Sequence, residues 1–155
     1  MPRRLWIAVA VLLLSACASS EPPPPPTRVL LQFQASADLN PSASGQPAPV
    51  RVRLFELKSG AAFNRADYFS LVESPQATLA ADLVEQDELL VRPGDRQALE
   101  RTLDAATRLL GIVVAYRDLD SAVWRQLVTV PANQESRFDI ALGARAVTAV
   151  PVKEQ

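Results

Sequence analysis

Leu110-Gly111-Ile112-Val113-Val114-Ala115 is the most apolar stretch of the chain after its first residues. Ile112, Val113 and Val114 follow one another, so neighbouring side chains on opposite faces are both apolar. That predicts a central strand covered on both sides. Upstream, Val50-Arg51-Val52-Arg53-Leu54 alternates, with Val50, Val52 and Leu54 pointing one way and the arginines the other. The alternation breaks at Leu54-Phe55, which predicts a bulge or an outer face that passes from water to another packed element. Further upstream, Val29, Leu31, Phe33 and Ala35 alternate with Leu30, Gln32 and Gln34 as in a half-buried strand. Downstream, residues 123–130 and 136–142 read as strands, the latter with Phe138, Ile140 and Leu142 on one face, and residues 145–150 close the pattern as an edge strand. Residues 118–121 and 131–134 have hairpin length and turn composition. Seven or eight short strands joined by such turns predict a mainly β protein, an antiparallel β-sandwich.

Two segments interrupt this rhythm. Residues 63–84 read as helical: Ala66, Phe69 and Leu71 lie near one face after a cap at Asn64, and Ser74-Pro75 places proline at the first position of a second helix. Glu88 to Arg92 is a short strand stopped by Pro93-Gly94. In residues 96–108, Leu99, Thr102, Leu103 and Ala106 fit a helix, and local propensity chooses that state. Between the first two strands, residues 38–49 carry Asn40, Pro41, Ser42, Ser44, Gly45, Pro47 and Pro49, a long loop without regular structure.

The chain has 155 residues, 48% apolar and 21% charged, which suits one domain with its own core. It contains no histidine, so imidazole acid–base chemistry, Ser-His and Cys-His nucleophile pairs and His-ligated zinc are excluded. One cysteine excludes an internal disulfide and a Cys-rich metal site. The formal charge is −1, and removal of a leader bearing Arg3 and Arg4 makes it −3 (14 basic against 17 acidic residues), the wrong sign for a nucleic-acid binder. No cofactor, enzyme activity or small-molecule substrate is expected.

The N-terminus has its own logic. Arg3 and Arg4 precede an apolar run from Leu5 to Leu14 and small residues at Ser15-Ala16. About ten apolar residues are half of what a membrane-spanning helix needs, so the run reads as a signal peptide over residues 1–16. Leu14-Ser15-Ala16-Cys17 resembles the lipobox of bacterial lipoproteins, which implies cleavage between Ala16 and Cys17 and acylation of the Cys17 thiol. Residues 17–27 then form a tether. Pro22 to Pro26 favour a polyproline II spacer, so the ten residues from Ala18 to Thr27 span about 30 Å. Ala18, and not an aspartate, follows the cysteine, which in such lipoproteins implies the outer membrane.

The blocks of the remaining chain, residues 28–152, resemble the TssJ family, outer-membrane lipoproteins of the type VI secretion system. They are Asn40-Pro41 and Pro49; Val52-Arg53-Leu54-Phe55-Glu56-Leu57-Lys58; Phe63 with Ala66-Asp67-Tyr68-Phe69-Ser70-Leu71; Leu79 with Asp82-Leu83; Val91-Arg92-Pro93-Gly94; Gly111 to Asp118; and Trp124-Arg125. Each block is short, and their order and spacing carry the likeness. The resemblance implies a transthyretin-like sandwich of two sheets with a helical insertion, residues 61–84, between the second and third strands. It also implies that residues 96–102 form a strand, against propensity. It further implies that the first loop, here Asn40, Pro41, Ser42, Ser44, Gly45, Gln46 and Pro47, binds the periplasmic C-terminal region of TssM, an inner-membrane protein. The expected protein is thus lipid-anchored at the outer membrane, facing the periplasm.

From the residues alone, the loop is either a floppy connection or a binding element. Phe63, Tyr68, Phe69 and Leu71 are expected to pack on the sheet more than to dock a partner, and Trp124-Arg125 to anchor the core or its rim, with Arg125 or Arg117 paired to Asp118. Glu85, Asp87 and Glu88 read as a solvated cluster. A transthyretin-like lipoprotein holding a small ligand is the alternative reading and requires an internal cavity. A wall hydrolase built on Asp118 and Asp120 ranks last.

Overall fold

The computed structural model describes residues 21–153. Eight strands build two sheets: β1 (Arg28–Ala35), β2 (Val50–Leu57), β3 (Leu83–Val91), β4 (Arg96–Thr102), β5 (Leu109–Val114), β6 (Arg125–Thr129), β7 (Glu135–Leu142) and β8 (Val147–Pro151). One sheet runs β4-β1-β7-β8 and the other β3-β2-β5-β6. Between β2 and β3 lie three short helices, α1 (Ala61–Arg65), α2 (Tyr68–Glu73) and α3 (Pro75–Leu79), and a 3₁₀ turn, Ala80–Asp82. Among the described residues no helix is long and apolar enough to cross a membrane.

The expected alternation builds the core. Val29, Leu31 and Phe33 of β1 and Phe138, Ile140 and Leu142 of β7 face Val52 and Leu54 of β2 and Leu110, Ile112 and Val114 of β5, all buried. The broken alternation of β2 has the second of its two expected explanations. Arg51 and Arg53 lie on an outer surface, whereas Phe55 and Leu57 on that same face are covered by the helices. Phe55, Leu57 and Val113 pack there with Phe63, Leu71 and Leu79 in a second core. Gly111 makes this possible, because a Cβ on it would stand 2.6 Å from the Phe63 ring.

Several expectations are corrected. The propensity reading of residues 96–102 gives way to the strand that the resemblance implies: they form β4, because the segment pairs antiparallel with β1 from Gln34↔Arg96 to Arg28↔Thr102, and tertiary pairing outweighs a weak helix preference. The helical reading of residues 63–84 runs too far. Leu83 and Val84 already belong to β3, which starts five residues before Glu88 because Leu83 pairs with Leu57. Asn64 is inside α1. The side-chain cap is Asp67, which accepts from the Ser70 amide at 2.9 Å and starts α2. The sheets are not wholly antiparallel, since β1 and β7 pair in parallel. Residues 131–134 accordingly carry the chain from one sheet to the other and make no hairpin.

Candidate partner-binding site

The two poles of the sandwich carry different things. At one pole residues 21–26 are exposed and the chain enters β1 through Thr27. Thr27 is fixed there: its carbonyl accepts from Leu103 N at 2.9 Å and its hydroxyl from Asn133 N at 2.8 Å. β1 then runs eight residues, roughly 25 Å at about 3.3 Å each, to the opposite pole. The 38–49 loop leaves from that far end, beside the β3–β4 turn, the β5–β6 connection and the β7–β8 turn.

The loop has a built base and an exposed tip. Leu39, Asn40 and Ala48 are buried, and Ala48 N donates to Leu39 O at 2.9 Å. Asn40 is the clasp. Its amide Nδ2 donates to Pro49 O at 3.2 Å, its Oδ1 accepts from Arg117 N at 2.8 Å, and its own N–H donates to Ala144 O at 3.0 Å. Three connections of the pole therefore meet on one side chain and its backbone. Its φ of +51° is left-handed, a region that asparagine tolerates better than most residues. Beyond it, Ser42 N donates to Gln46 O and Gly45 N to Ser42 O, both at 2.9 Å, and Gly45 takes φ +82°, closing a tight turn. Ser44, Gly45, Gln46 and Pro47 are exposed, Pro41 and Ser42 half-buried. Of the residues expected to bind a partner, Asn40 is thus a structural element of the loop, and the other six form the surface it holds out. The Asn-Pro pair was a turn signal in the sequence, but the reach of Asn40 to residue 117, 77 positions on, was not visible there. Ala16 and Cys17 lie outside the described residues.

Tyr116 braces the same pole. It is buried, and its hydroxyl donates to Gly143 O at 3.1 Å. Burial holds its phenol well above the ordinary value of 10.0. The expected pairing of Arg125 or Arg117 with Asp118 does not form. Asp118 sits with Arg145 at 3.5 Å, and Arg125 instead donates Nη1 to the carbonyls of Phe63 (3.0 Å) and Ala66 (2.7 Å) while stacking on Trp124 at 4.8 Å. Those carbonyls belong to α1 and to the residue that ends it, so a guanidinium fork finds better acceptors there than on a solvated carboxylate. Glu88 answers both Arg51 (3.1 Å) and Arg53 (3.0 Å), and Asp87 pairs with Arg101 across the open side of the sandwich.

The comparisons with known proteins agree with this architecture. Residues 27–145 match the T6SS-SciN family model, described as type VI secretion lipoprotein, VasD, EvfM, TssJ. The chain belongs to this family. The TssJ family is one of structural lipoproteins of the type VI secretion membrane complex, not of enzymes. The crystal structure of the T6SS lipoprotein TssJ1 from Pseudomonas aeruginosa is 56% identical and superposes with a TM-score of 0.82, over 84% of this chain and 100% of that one. Serratia marcescens Lip, a membrane-bound component of the type VI secretion system, is 29% identical with a TM-score of 0.75, covering 84% of this chain and 99% of its own. A third likeness, 25% identical with a TM-score of 0.65, covers 81% of this chain and 99% of a chain in the structure of the T6SS protein TssM C-terminal domain (869–1107) from EAEC. No curated protein sequence matches the chain.

Proposed function

We propose that this TssJ-family lipoprotein ties the type VI secretion membrane complex to the outer membrane by binding the periplasmic C-terminal region of TssM. In this reading residues 1–16 are removed, Cys17 is acylated, residues 17–27 are the tether and residues 28–152 the binding domain. The observation that carries it is the separation of the poles: the tether enters at one end, and a loop clasped by Asn40 is presented at the other. A protein that bridges a membrane to a partner needs this arrangement, since both contacts are then free at once. The likeness to a chain in the TssM C-terminal domain structure supports the choice of partner.

The loop base is buried, so a replacement that starts at Asn40 would damage the pole itself. The test is replacement of residues 42–46 by Gly-Ser residues, with Asn40 and Pro49 retained, in a soluble form starting at Glu21. An unchanged circular dichroism spectrum and weaker capture of the TssM C-terminal domain in a calorimetric titration are expected; undiminished capture refutes the loop as the binding element. For the anchor, Cys17→Ala is expected to leave a precursor of uncleaved size outside the outer-membrane fraction. An alanine form that fractionates with the outer membrane at mature size refutes acylation. The ligand-carrier alternative requires an enclosed cavity: the hollow under the Arg101–Asp87 pair is only about 100 Å³, and the larger cleft of about 670 Å³ between β6 and the β7–β8 edge is an open groove.

A further inference from the structure

The loop tip is too small to hold a partner by itself. Residues 41–47 carry no aromatic side chain, whereas a stable protein–protein interface takes about 800 Å² and 20 to 30 residues from each side. The surface adjoining the loop must supply the rest. The helices cover only the tether half of the outer face of the β3-β2-β5-β6 sheet. On its loop half a row runs across the strands, Leu90 opposite Arg51, then Ala115, whose N–H donates to Arg51 O at 2.9 Å; Val123, just before β6, stands at the seam where its backbone bonds Arg145 and Val147. Leu90 is 54% exposed and Val123 51%. The row meets the loop where Asn40 holds the amide of Arg117.

Beside this row stands a ladder of aromatic rings. Phe69, 59% exposed, meets Tyr68 edge-on at 5.4 Å, and Tyr68 meets Trp124 edge-on at 5.4 Å. Arg125 closes the ladder, stacked on Trp124 with its guanidinium tied to two carbonyls. Tyr68 and Trp124 are half-buried against each other before any partner arrives, so little of their side-chain freedom would be lost on binding, and aromatic residues and arginine are the types that dominate interface energetics. Phe69 is also the one member of the helical aromatic set that packing does not explain. Phe63 and Leu71 are fully buried, and Tyr68 is half-buried against Trp124.

The charges around the ladder balance. Arg51, Arg53, Arg117 and Arg125 contribute +4, and Asp67, Glu73, Glu88 and Asp118 −4, so the surround is locally neutral on a chain of net −1. Asp67 is occupied with Ser70, and one carboxylate, Glu88, serves two arginines.

We infer that the ladder ending in Phe69, with Val123 and the row beside it, is the second half of the footprint of the partner that grips the loop, and that it receives an apolar ridge. The inference rests on the loop reading above and deepens it. The experiment is calorimetric titration of the full chain, purified from membranes in mild detergent, with the TssM C-terminal domain. Phe69→Ala and, separately, Val123→Ser are expected to raise Kd tenfold or more with melting temperature unchanged, because both side chains are exposed. Arg117→Glu is expected to raise Kd, because Arg117 stands where the row meets the loop. Val150→Ser, 54% exposed on the other sheet, is the control and is expected to bind as wild type. Wild-type binding by the Phe69, Val123 and Arg117 variants, with the 42–46 replacement still weakened, overturns this inference and leaves the loop reading standing. Failure of the wild-type chain to bind overturns both. A dimer in sedimentation that Phe69→Ala converts to monomer also overturns it, since the occupant is then a second copy.

Discussion

Asn40→Ala tests whether one buried side chain organises the loop pole. The substitution deletes the donor to Pro49 O and the acceptor for Arg117 N at a residue only 4% exposed. A net hydrogen bond is worth about 1 kcal/mol, and a buried partner left unsatisfied costs about 1–3 kcal/mol, so two orphaned groups near a solvent boundary come to about 2–3 kcal/mol. The backbone adds to this. At φ +51° an alanine costs about 1 kcal/mol more than asparagine, whose short polar side chain tolerates the left-handed region. The expected total is about 3–4 kcal/mol, on the order of a 10 °C fall in melting temperature for a domain of this size. Asn40→Asp keeps the acceptor for Arg117 and loses only the donor to Pro49, so it is expected to fall between the two. Urea denaturation of wild type, Asn40→Ala and Asn40→Asp gives the order directly, and hydrogen exchange at the Arg117 amide reports the clasp itself. An alanine variant within about 0.5 kcal/mol of wild type, with the Arg117 amide still protected, refutes the clasp.

Two further outcomes follow from the cores. Gly111→Ala drives a methyl into the Phe63 ring, and overpacking of this kind is expected to cost about 1–3 kcal/mol in urea titration; pairing it with Phe63→Leu should recover part of the loss, and no recovery would place the strain elsewhere. The raised phenol of Tyr116 makes stability fall with alkali. The unfolded chain releases this proton at its ordinary value near pH 10.0 while the folded chain still holds it, so the contribution is complete below that pH and declines as pH rises above it. Tyr116→Phe should lose the bond to Gly143 at neutral pH and show a shallower alkaline decline in melting scans; equal alkaline slopes in the two proteins would contradict a buried phenol.

The strands of the core were legible from residues 29–35, 50–54 and 136–142, because period-two alternation is a local property: each residue need only differ from its neighbours for one face to seek the core. The triple Ile112-Val113-Val114 announced a strand covered twice, and the break at Leu54-Phe55 announced where on β2 the second cover begins. Proline and glycine marked the loop for the same local reason. What the tertiary structure alone decided was everything that depends on a distant partner. Residues 96–102 became a strand because β1 offered its edge, and Leu83 joined β3 because Leu57 stood opposite. Arg125 turned from carboxylates to the carbonyls at the end of α1, and Asn40 became a clasp only when the β5–β6 connection arrived beside it. The parallel pairing of β1 with β7 and the placing of residues 21–26 and the 38–49 loop at opposite poles belong to the same class. A hydrogen bond between positions 77 apart leaves no periodic trace in the chain, since either residue reads locally as a plain turn residue until the fold closes the distance.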